Sequence, residues 1–179
     1  VQVAGQISVM EINAKLAKLL FDKNPDRDFF IEVSYPLEWM YPHLTPYGII
    51  LKLNREEVPE ITDEMMRKDR RFWAKYQSRL TGDWITDETS IREIGLWAIK
   101  TYKRWELDGY TGDRAFVRDE AAQKAFSKLR GSIADMYRWR IANYKLAITQ
   151  EQDSAKRAEL MLKEKRMTRE YLFALKQSW

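Results

Sequence analysis

The chain has 179 residues and a formal net charge of +4, and 45% of its residues are hydrophobic, 32% charged and 13% aromatic. This composition excludes a disordered chain and predicts a packed core, in one domain or in a small domain with a helical extension. With 0 cysteines, disulfides and Cys-based metal sites are excluded. Basic and acidic residues are interspersed and no zinc-finger or RNA-binding motif occurs, so we expect no nucleic-acid partner.

The first third of the chain predicts a small α/β portion. Apolar residues at mostly helical spacing favour a helix over residues 6–23, which Asn24-Pro25 ends. Residues 29–34 and 49–54 predict strands, with a short helix after Pro36 and a turn at residues 45–48 between them. Because this connection is long enough for a crossover, we expect the two strands to be parallel. Two strands alone make no stable sheet, so we expect more strands from upstream sequence, or cover by helices.

Beyond a boundary at residues 56–60, four charged helices with apolar stripes are predicted. Thr62 is a good N-cap for the first, which ends at Gly82, and Thr89 or Ser90 caps the second. An ordered loop covers residues 108–119, the third helix runs to about residue 144, and the fourth covers residues 150–176. The predicted fold is therefore mainly α, with an α/β portion at 1–56 and a repeat-like helical array at 57–179. No repeat recurs at a fixed period.

An aromatic cluster at residues 35–44 follows the first predicted strand, where α/β folds place ligands. Glu38, Tyr41 and His43 offer a carboxylate, a phenol and an imidazole to a polar ligand such as a sugar. The alternative, which we favour, is a rigid turn framed by Pro36 and Pro42 whose aromatic rings fill the core. His43 is the only histidine, so a two-histidine metal site is excluded and we expect no metal ligands.

Two groups of carboxylates and one aromatic series allow a functional and a structural interpretation. The carboxylates suit acid–base work, but they also stand where helix caps and turns need them, which is the interpretation we favour. They are Asp83, Asp87 and Glu88 around Trp84, and Glu106, Asp108 and Asp113. Residues 109–113 are interpreted as a turn. Arg138, Trp139 and Arg140 are candidates for a partner-binding face, although core packing with a solvated Arg edge accounts for them better.

Longer segments carry a resemblance to a known family. These are Met10-Glu11-Ile12-Asn13, Phe21-Asp22-Lys23-Asn24-Pro25-Asp26-Arg27, residues 37–48, Lys52-Leu53-Asn54-Arg55, Gly82-Asp83-Trp84, Gly112-Asp113, Phe116-Val117-Arg118 and residues 125–130. They resemble, in order and over most of the chain, bacterial multi-spanning membrane proteins related to protein O-mannosyltransferases, in the region after the membrane spans. The resemblance implies an extracytoplasmic α/β portion followed by helices and then tetratricopeptide-like repeats. It also implies that the acidic catalytic residues lie on loops between the spans, which no part of this chain matches.

The leading hypothesis is therefore a non-catalytic region of a glycosyltransferase-like membrane protein, on the periplasmic face of the inner membrane, that acts as a scaffold or recruits an acceptor or partner. Its main partner would be the remainder of the same protein, with no cofactor. No run approaches the eighteen or so apolar residues that cross a bilayer, so we expect a water-soluble chain, whose start without Met resembles an excised boundary. The rivals are a free-standing helical protein-interaction domain, which would be cytoplasmic, and a small carbohydrate-active enzyme or sugar-binding domain.

Overall fold

The computed structural model describes residues 2–32 and 37–178, with side chains from residue 9 onward. Its elements are α1 (Gln2–Lys23), β1 (Phe29–Ile31), a 3₁₀ helix (Glu38–His43), β2 (Leu44–Tyr47), β3 (Ile50–Leu53), α2 (Asp63–Leu80), α3 (Ile91–Ala98) with a π-helical turn (Ile99–Lys103), α4 (Arg114–Arg118), α5 (Glu120–Gln150) and α6 (Ser154–Gln177). The prediction of a mainly α fold with a small α/β portion is confirmed. Pro36, which was predicted to begin the short helix, and the end of the first predicted strand at residues 33–34 lie outside the described residues.

The sheet is antiparallel, so the predicted parallel pair of strands is wrong. Its order is β1-β3-β2, with Phe29 opposite Leu53 on one side of β3 and Tyr47 opposite Ile50 on the other. The predicted turn at residues 45–48 is instead mostly strand β2, and a two-residue loop joins it to β3. Such a short connection makes β2 and β3 antiparallel, and β1 pairs with the other side of β3 in the antiparallel sense as well. Gly48 opens the loop with φ 64°, and Pro46 is tolerated because β2 is an edge strand.

Helix caps lie where polar residues were expected to place them. The Thr62 hydroxyl accepts a hydrogen bond from the Met65 amide at 3.2 Å, and Ser90, one of two predicted candidates, forms a reciprocal capping box with Glu93. Asp119 caps α5 through the Ala122 amide at 2.9 Å. The predicted loop at 108–119 contains the one-turn helix α4, which the sequence pattern did not indicate because five residues are too few to show a period.

One hydrophobic core joins the sheet to the helices. Buried residues of this core come from β2 and β3, from α2, and from α5 and α6, and they include Leu44, Leu51, Trp73, Ile133 and Met167. A three-residue connection folds α6 back along α5 in a helical hairpin. The segments on both sides of the predicted boundary near residue 56 thus share a core, and the division into two domains stays a prediction.

Candidate functional site

The residues predicted to bind a ligand lie on the 3₁₀ helix Glu38–His43. The His43 ring packs against Phe21 of α1 at 5.9 Å between centroids, and its Nδ1 lies 3.1 Å from the main-chain oxygen of Asn54. Glu38 is exposed. Tyr41 packs in another direction, against α5. His43 and Tyr41 thus pack against different helices. A ligand site shared by Glu38, Tyr41 and His43 stays a prediction.

The predicted partner-binding face divides into an outer and an inner part. Trp139 is half-buried and stacks on Tyr41, with 5.7 Å between ring centroids and 13° between ring planes. Arg138 is exposed and pairs with Asp135 on the same helix, at 3.1 Å. Arg140 is buried. A role in partner binding stays a prediction for Arg138 and Trp139, whereas the Arg140 side chain is occupied inside the molecule.

Arg140 joins α5 to the segment around the sheet. Its guanidinium donates to the main-chain oxygens of Val58 at 2.5 Å, Pro42 at 3.0 Å and Leu44 at 3.4 Å. Burial of the side chain lowers the pKa of this guanidinium, which still stays charged at neutral pH. One guanidinium therefore gathers main-chain oxygens of the 3₁₀ helix, of β2 and of the segment before α2, and the Pro42 oxygen also accepts from the Val58 amide at 2.9 Å. These bonds fix the 3₁₀ helix on α5.

A buried polar network lies between α2, α5 and α6. Arg130 donates from Nη1 to Asp69 Oδ2 at 2.9 Å and from Nε to Gln177 Oε1 at 2.9 Å. The Tyr137 hydroxyl donates to the same Asp69 oxygen at 3.2 Å, and burial raises the pKa of this phenol well above its ordinary value. The guanidinium also lies 4.9 Å from the centre of the Trp73 ring. The paired charges and the stacked ring hold three helices in one register.

Sequence reasoning did not single out this network, although a signal was present. Asp69 and Gln77 fall on the same face of α2 as the buried Met66 and Trp73, at three- and four-residue steps. A polar residue on an apolar stripe must find a partner, and Arg130 occupies the corresponding stripe of α5. The pattern indicates that partners exist but does not identify them, because their pairing depends on how the helices cross.

Asp87, one of the predicted carboxylate candidates, belongs to a second charged network nearer the surface. Its carboxylate accepts two hydrogen bonds from Arg70, at 3.1 and 3.2 Å, and two more from Arg169, through Nε at 3.1 Å and through Nη2. Arg70 also donates to Glu170 at 2.6 Å. Burial works against ionisation of the Asp87 carboxyl, but the hydrogen bonds from Arg169 and Arg70 outweigh it and hold its pKa below the ordinary value. Asp87 therefore ties α6 to the segment before α3.

An open cavity of about 290 Å³ lies between the loops that flank α3. We call it the tryptophan cleft and define it by three aromatic and three charged side chains: Trp84, Trp97, Tyr110, Lys100, Glu106 and Asp108. The two indoles pack with their ring centroids 4.9 Å apart and 35° between their planes, and Tyr110 lies 6.2 Å from Trp97. Glu106 and Asp108, from the second predicted group of carboxylates, thus line the cleft. From the first group it is Trp84, the residue between the carboxylates, that lines it.

The wall of the cleft requires glycine at two positions. Gly82 has φ 90°, and a Cβ there would lie 2.6 Å from the Thr111 hydroxyl oxygen. A Cβ at Gly112 would lie 2.5 Å from the main-chain oxygen of Leu80. The same oxygen accepts a hydrogen bond from the Tyr110 hydroxyl at 2.5 Å, and burial, with Asp113 nearby, raises the pKa of this phenol to about 12. The loop at residues 109–113, predicted as a turn, is therefore clamped to the end of α2.

An apolar face of α1 is open to solvent. We call it the α1 stripe and define it by six large side chains whose exposed fractions run from 50% to 60%: Val9, Met10, Ile12, Leu16, Leu19 and Leu20. Ala17 and Phe21, on the adjoining face of the helix, pack on the core. A guanidinium from Arg55 lies 4.3 Å from the Phe21 ring and donates to the Phe21 oxygen at 2.5 Å, which fastens the end of the helix.

Comparisons with family models, with curated proteins and with solved structures gave no significant match. Within residues 2–32 and 37–178, no helix is both long enough and apolar enough to cross a bilayer. In the same described part of the chain, no group of three or more acidic or histidine side chains is arranged to hold a metal ion. The inference of function therefore depends on the geometry of the α1 stripe and of the tryptophan cleft.

Proposed function

We propose that this chain is a non-catalytic docking and recruiting module of a glycosyltransferase-like membrane protein, and that the α1 stripe contacts the remainder of that protein. The observation that carries the proposal is the α1 stripe itself. Large aliphatic side chains are usually buried, and a contiguous apolar face on one helix is characteristic of a surface that another part of an assembly covers.

The spacing along the α1 stripe favours a helix as its partner. Val9, Ile12, Leu16 and Leu19 follow each other at steps of three, four and three residues, which is the seam of two packed helices. A half-exposed aliphatic side chain contributes about 1 kcal/mol when a partner covers it. The resemblance supplies the occupant, because a multi-spanning membrane protein consists of helices.

The non-catalytic part of the proposal is supported by three of the side chains that could transfer protons. Asp69 is paired with Arg130, and Asp87 with Arg70 and Arg169. The imidazole of His43 lies against the Asn54 main-chain oxygen and the Phe21 ring. Groups held in this way position helices and loops, whereas a general base must reach a substrate. The family resemblance implies that the module lies on the extracytoplasmic face of the membrane.

A free-standing protein-interaction domain is the second candidate, since its α1 stripe would bind a helix of another protein. The complete reading frame separates the two. Many apolar spans upstream of this chain are expected under the proposal, and a reading frame without spans would contradict it and favour the second candidate.

Binding in trans tests the contact itself. The membrane-spanning part, expressed without this chain and purified in detergent, should retain the isolated chain on a column, and Leu16→Lys should abolish retention. Met161→Lys, at a residue of α6 with a similar exposed fraction of 55%, is the matched control and should bind normally. Equal retention of the two variants would exclude the α1 stripe as the contact.

A further inference from the structure

We infer that the tryptophan cleft is a binding site for a single neutral sugar ring. This inference goes beyond the proposed docking role, because the cleft and the α1 stripe are built from different elements and neither needs the other. Four features of the cleft support it: its aromatic wall, its polar groups, its balance of charges and its rigid frame.

The aromatic wall suits a ligand with an apolar face. Trp84, Trp97 and Tyr110 line the cavity, and aromatic rings combine a large contact area with little loss of conformational freedom. A pyranose ring has patches of C–H groups on its faces and hydroxyls around its rim. A volume of about 290 Å³ is at the small end of ligand sites, which fits one such ring and not an extended chain.

Polar groups around the wall match a rim of hydroxyls. The carboxylates of Glu106 and Asp108 accept hydrogen bonds, the Lys100 ammonium donates them, and the Thr111 hydroxyl can do either. Glu106 has only a loose ion pair, 3.9 Å from Arg104, and both side chains of that pair are at least half exposed. Asp108 is exposed as well, so both carboxylates are open to a ligand, in contrast to Asp69 and Asp87.

The lining disfavours a charged ligand. Two carboxylates oppose an anion, although they outnumber the single ammonium of Lys100 and so leave an excess of negative charge. A cation, however, would need free ring faces around it, as in the aromatic cages that bind quaternary ammonium groups. In the cleft, Trp84 and Trp97 pack on each other at 4.9 Å, which covers one face of each ring.

The frame around the cleft is rigid before any ligand arrives. Gly82 and Gly112 allow the two loops to touch, and the Tyr110 hydroxyl closes the contact by donating to Leu80. Trp105, which directly precedes the lining residue Glu106 in the chain, is a non-glycine residue with φ 59°, and the π-helical turn Ile99–Lys103 supplies Lys100. Strained backbone and π-helical turns concentrate at functional sites, where surrounding contacts hold them in place. A preorganised cleft loses less entropy when it binds.

A titration followed by NMR tests the inference directly. The probes are the methyl glycosides of glucose, galactose and mannose, with choline and glucuronate as a cation and an anion of similar size. At least one methyl glycoside should shift the indole N–H signals of Trp84 and Trp97 in a saturable manner, with a Kd of about 1 mM for a ligand of about a dozen heavy atoms. The same sugar linked to a serine peptide, compared with the bare peptide, shows whether the natural source is a free or a protein-bound sugar.

Two exposed carboxylates give a variant that leaves the core untouched. The double substitution Glu106→Gln and Asp108→Asn should weaken sugar binding about tenfold, because each charge-assisted hydrogen bond is replaced by a neutral one. Glu88→Gln, an exposed carboxylate outside the lining, is the control and should bind as the original chain does. The variant Leu16→Lys should also bind sugar normally, so a failure of sugar binding and a failure of docking remain distinguishable.

Several outcomes would overturn the inference. The first is that no glycoside gives a saturable shift up to about 100 mM, a hundred times the expected Kd. The second is that choline or glucuronate binds more tightly than every glycoside. The third is that the shifts are confined to residues outside the cleft. Should the double variant unfold, the location and ligand preference of the shifts in the original chain still decide the question.

Discussion

Two regions of the molecule reverse the usual distribution of residues. Between α2, α5 and α6, Arg130 is 0% exposed and Asp69 is 3% exposed, whereas on α1 Leu16 is 53% and Leu20 is 60% exposed. A buried charge is tolerated because its partners are within reach: a carboxylate, an amide and an aromatic face surround the guanidinium. The aliphatic face of α1 has no such partner among the described residues. The contrast distinguishes buried charges that are paired inside the chain from apolar side chains that, as we propose, a partner covers.

The largest loss of stability is expected when the buried ion pair of Asp69 and Arg130 is broken. Asp69→Ala leaves the Arg130 guanidinium buried without its counter-charge, so we expect a loss of about 3–5 kcal/mol in the free energy of unfolding. Urea denaturation followed by circular dichroism measures it. The double variant Asp69→Leu with Arg130→Met removes both charges and should recover most of this loss. A loss below about 1 kcal/mol for Asp69→Ala would show that the pair does not hold the helices together.

The second-largest loss of stability is expected at Arg140, because its buried guanidinium pairs with neutral carbonyl groups and not with a carboxylate. Arg140→Met shortens the side chain only slightly and removes hydrogen bonds to four main-chain oxygens, so we expect destabilisation by about 2–3 kcal/mol. Arg138→Met, at the exposed neighbouring position, is the control and should change stability by less than about 0.5 kcal/mol. Similar values for the two variants in thermal unfolding would contradict the assignment of Arg140 as the link between α5 and the sheet.

The Asp87 network should have a smaller effect that depends on pH. The folded-state pKa of Asp87 is depressed, so its contribution is present above the unfolded pKa of about 3.9 and is lost as the pH falls through the folded value. Asp87→Asn should lower the free energy of unfolding by about 1 kcal/mol at pH 7. The ion pair with Arg169 contributes little to this value, because the Arg169 side chain is exposed. The variant should also lose less stability than the original chain between pH 5 and pH 2, as unfolding in urea across that range would show. Parallel pH profiles would count against the network.

The smallest effect on stability is expected on α1. Leu16→Lys exchanges an exposed aliphatic side chain for a charged one, so the free energy of unfolding of the isolated chain should change by less than about 0.5 kcal/mol. The same variant should lose binding to the membrane-spanning part. A large loss of stability would show that the α1 stripe already packs within the chain, and the contrast with the buried pair would then disappear.

Much of the fold follows from local rules, and the sheet shows where those rules fail. Thr62, Ser90 and Gly82 set helix ends because capping depends on residues within one turn. The direction of the strands was mistaken since residues 45–48 fit a turn as well as a strand, and only the pairing with β3 decides between them. Pairing is a contact across the fold, which local composition does not encode.

The candidate sites were predictable only in pieces. Trp84 and the carboxylates Glu106 and Asp108 were noted as separate groups, and α3 brings them together by folding between them. Glu38, Tyr41 and His43 are adjacent in sequence, yet the 3₁₀ helix directs His43 toward α1 and Tyr41 toward α5. Spacing in the sequence indicates which residues share a face of an element. It does not indicate which faces meet, since that depends on the packing of the whole core.

Thiol labelling tests the central claim most directly, because the chain contains 0 cysteines and a single introduced one is unambiguous. Leu16→Cys on α1 and Leu162→Cys on α6, at positions 53% and 63% exposed, should react with a maleimide at similar rates in the isolated chain. In the full-length membrane protein that we propose, stripped of its other cysteines, Leu16→Cys should react at least about tenfold more slowly than Leu162→Cys, since burial blocks the thiolate. Equal rates in the intact protein would mean that the α1 stripe stays uncovered, and the docking role would then be wrong.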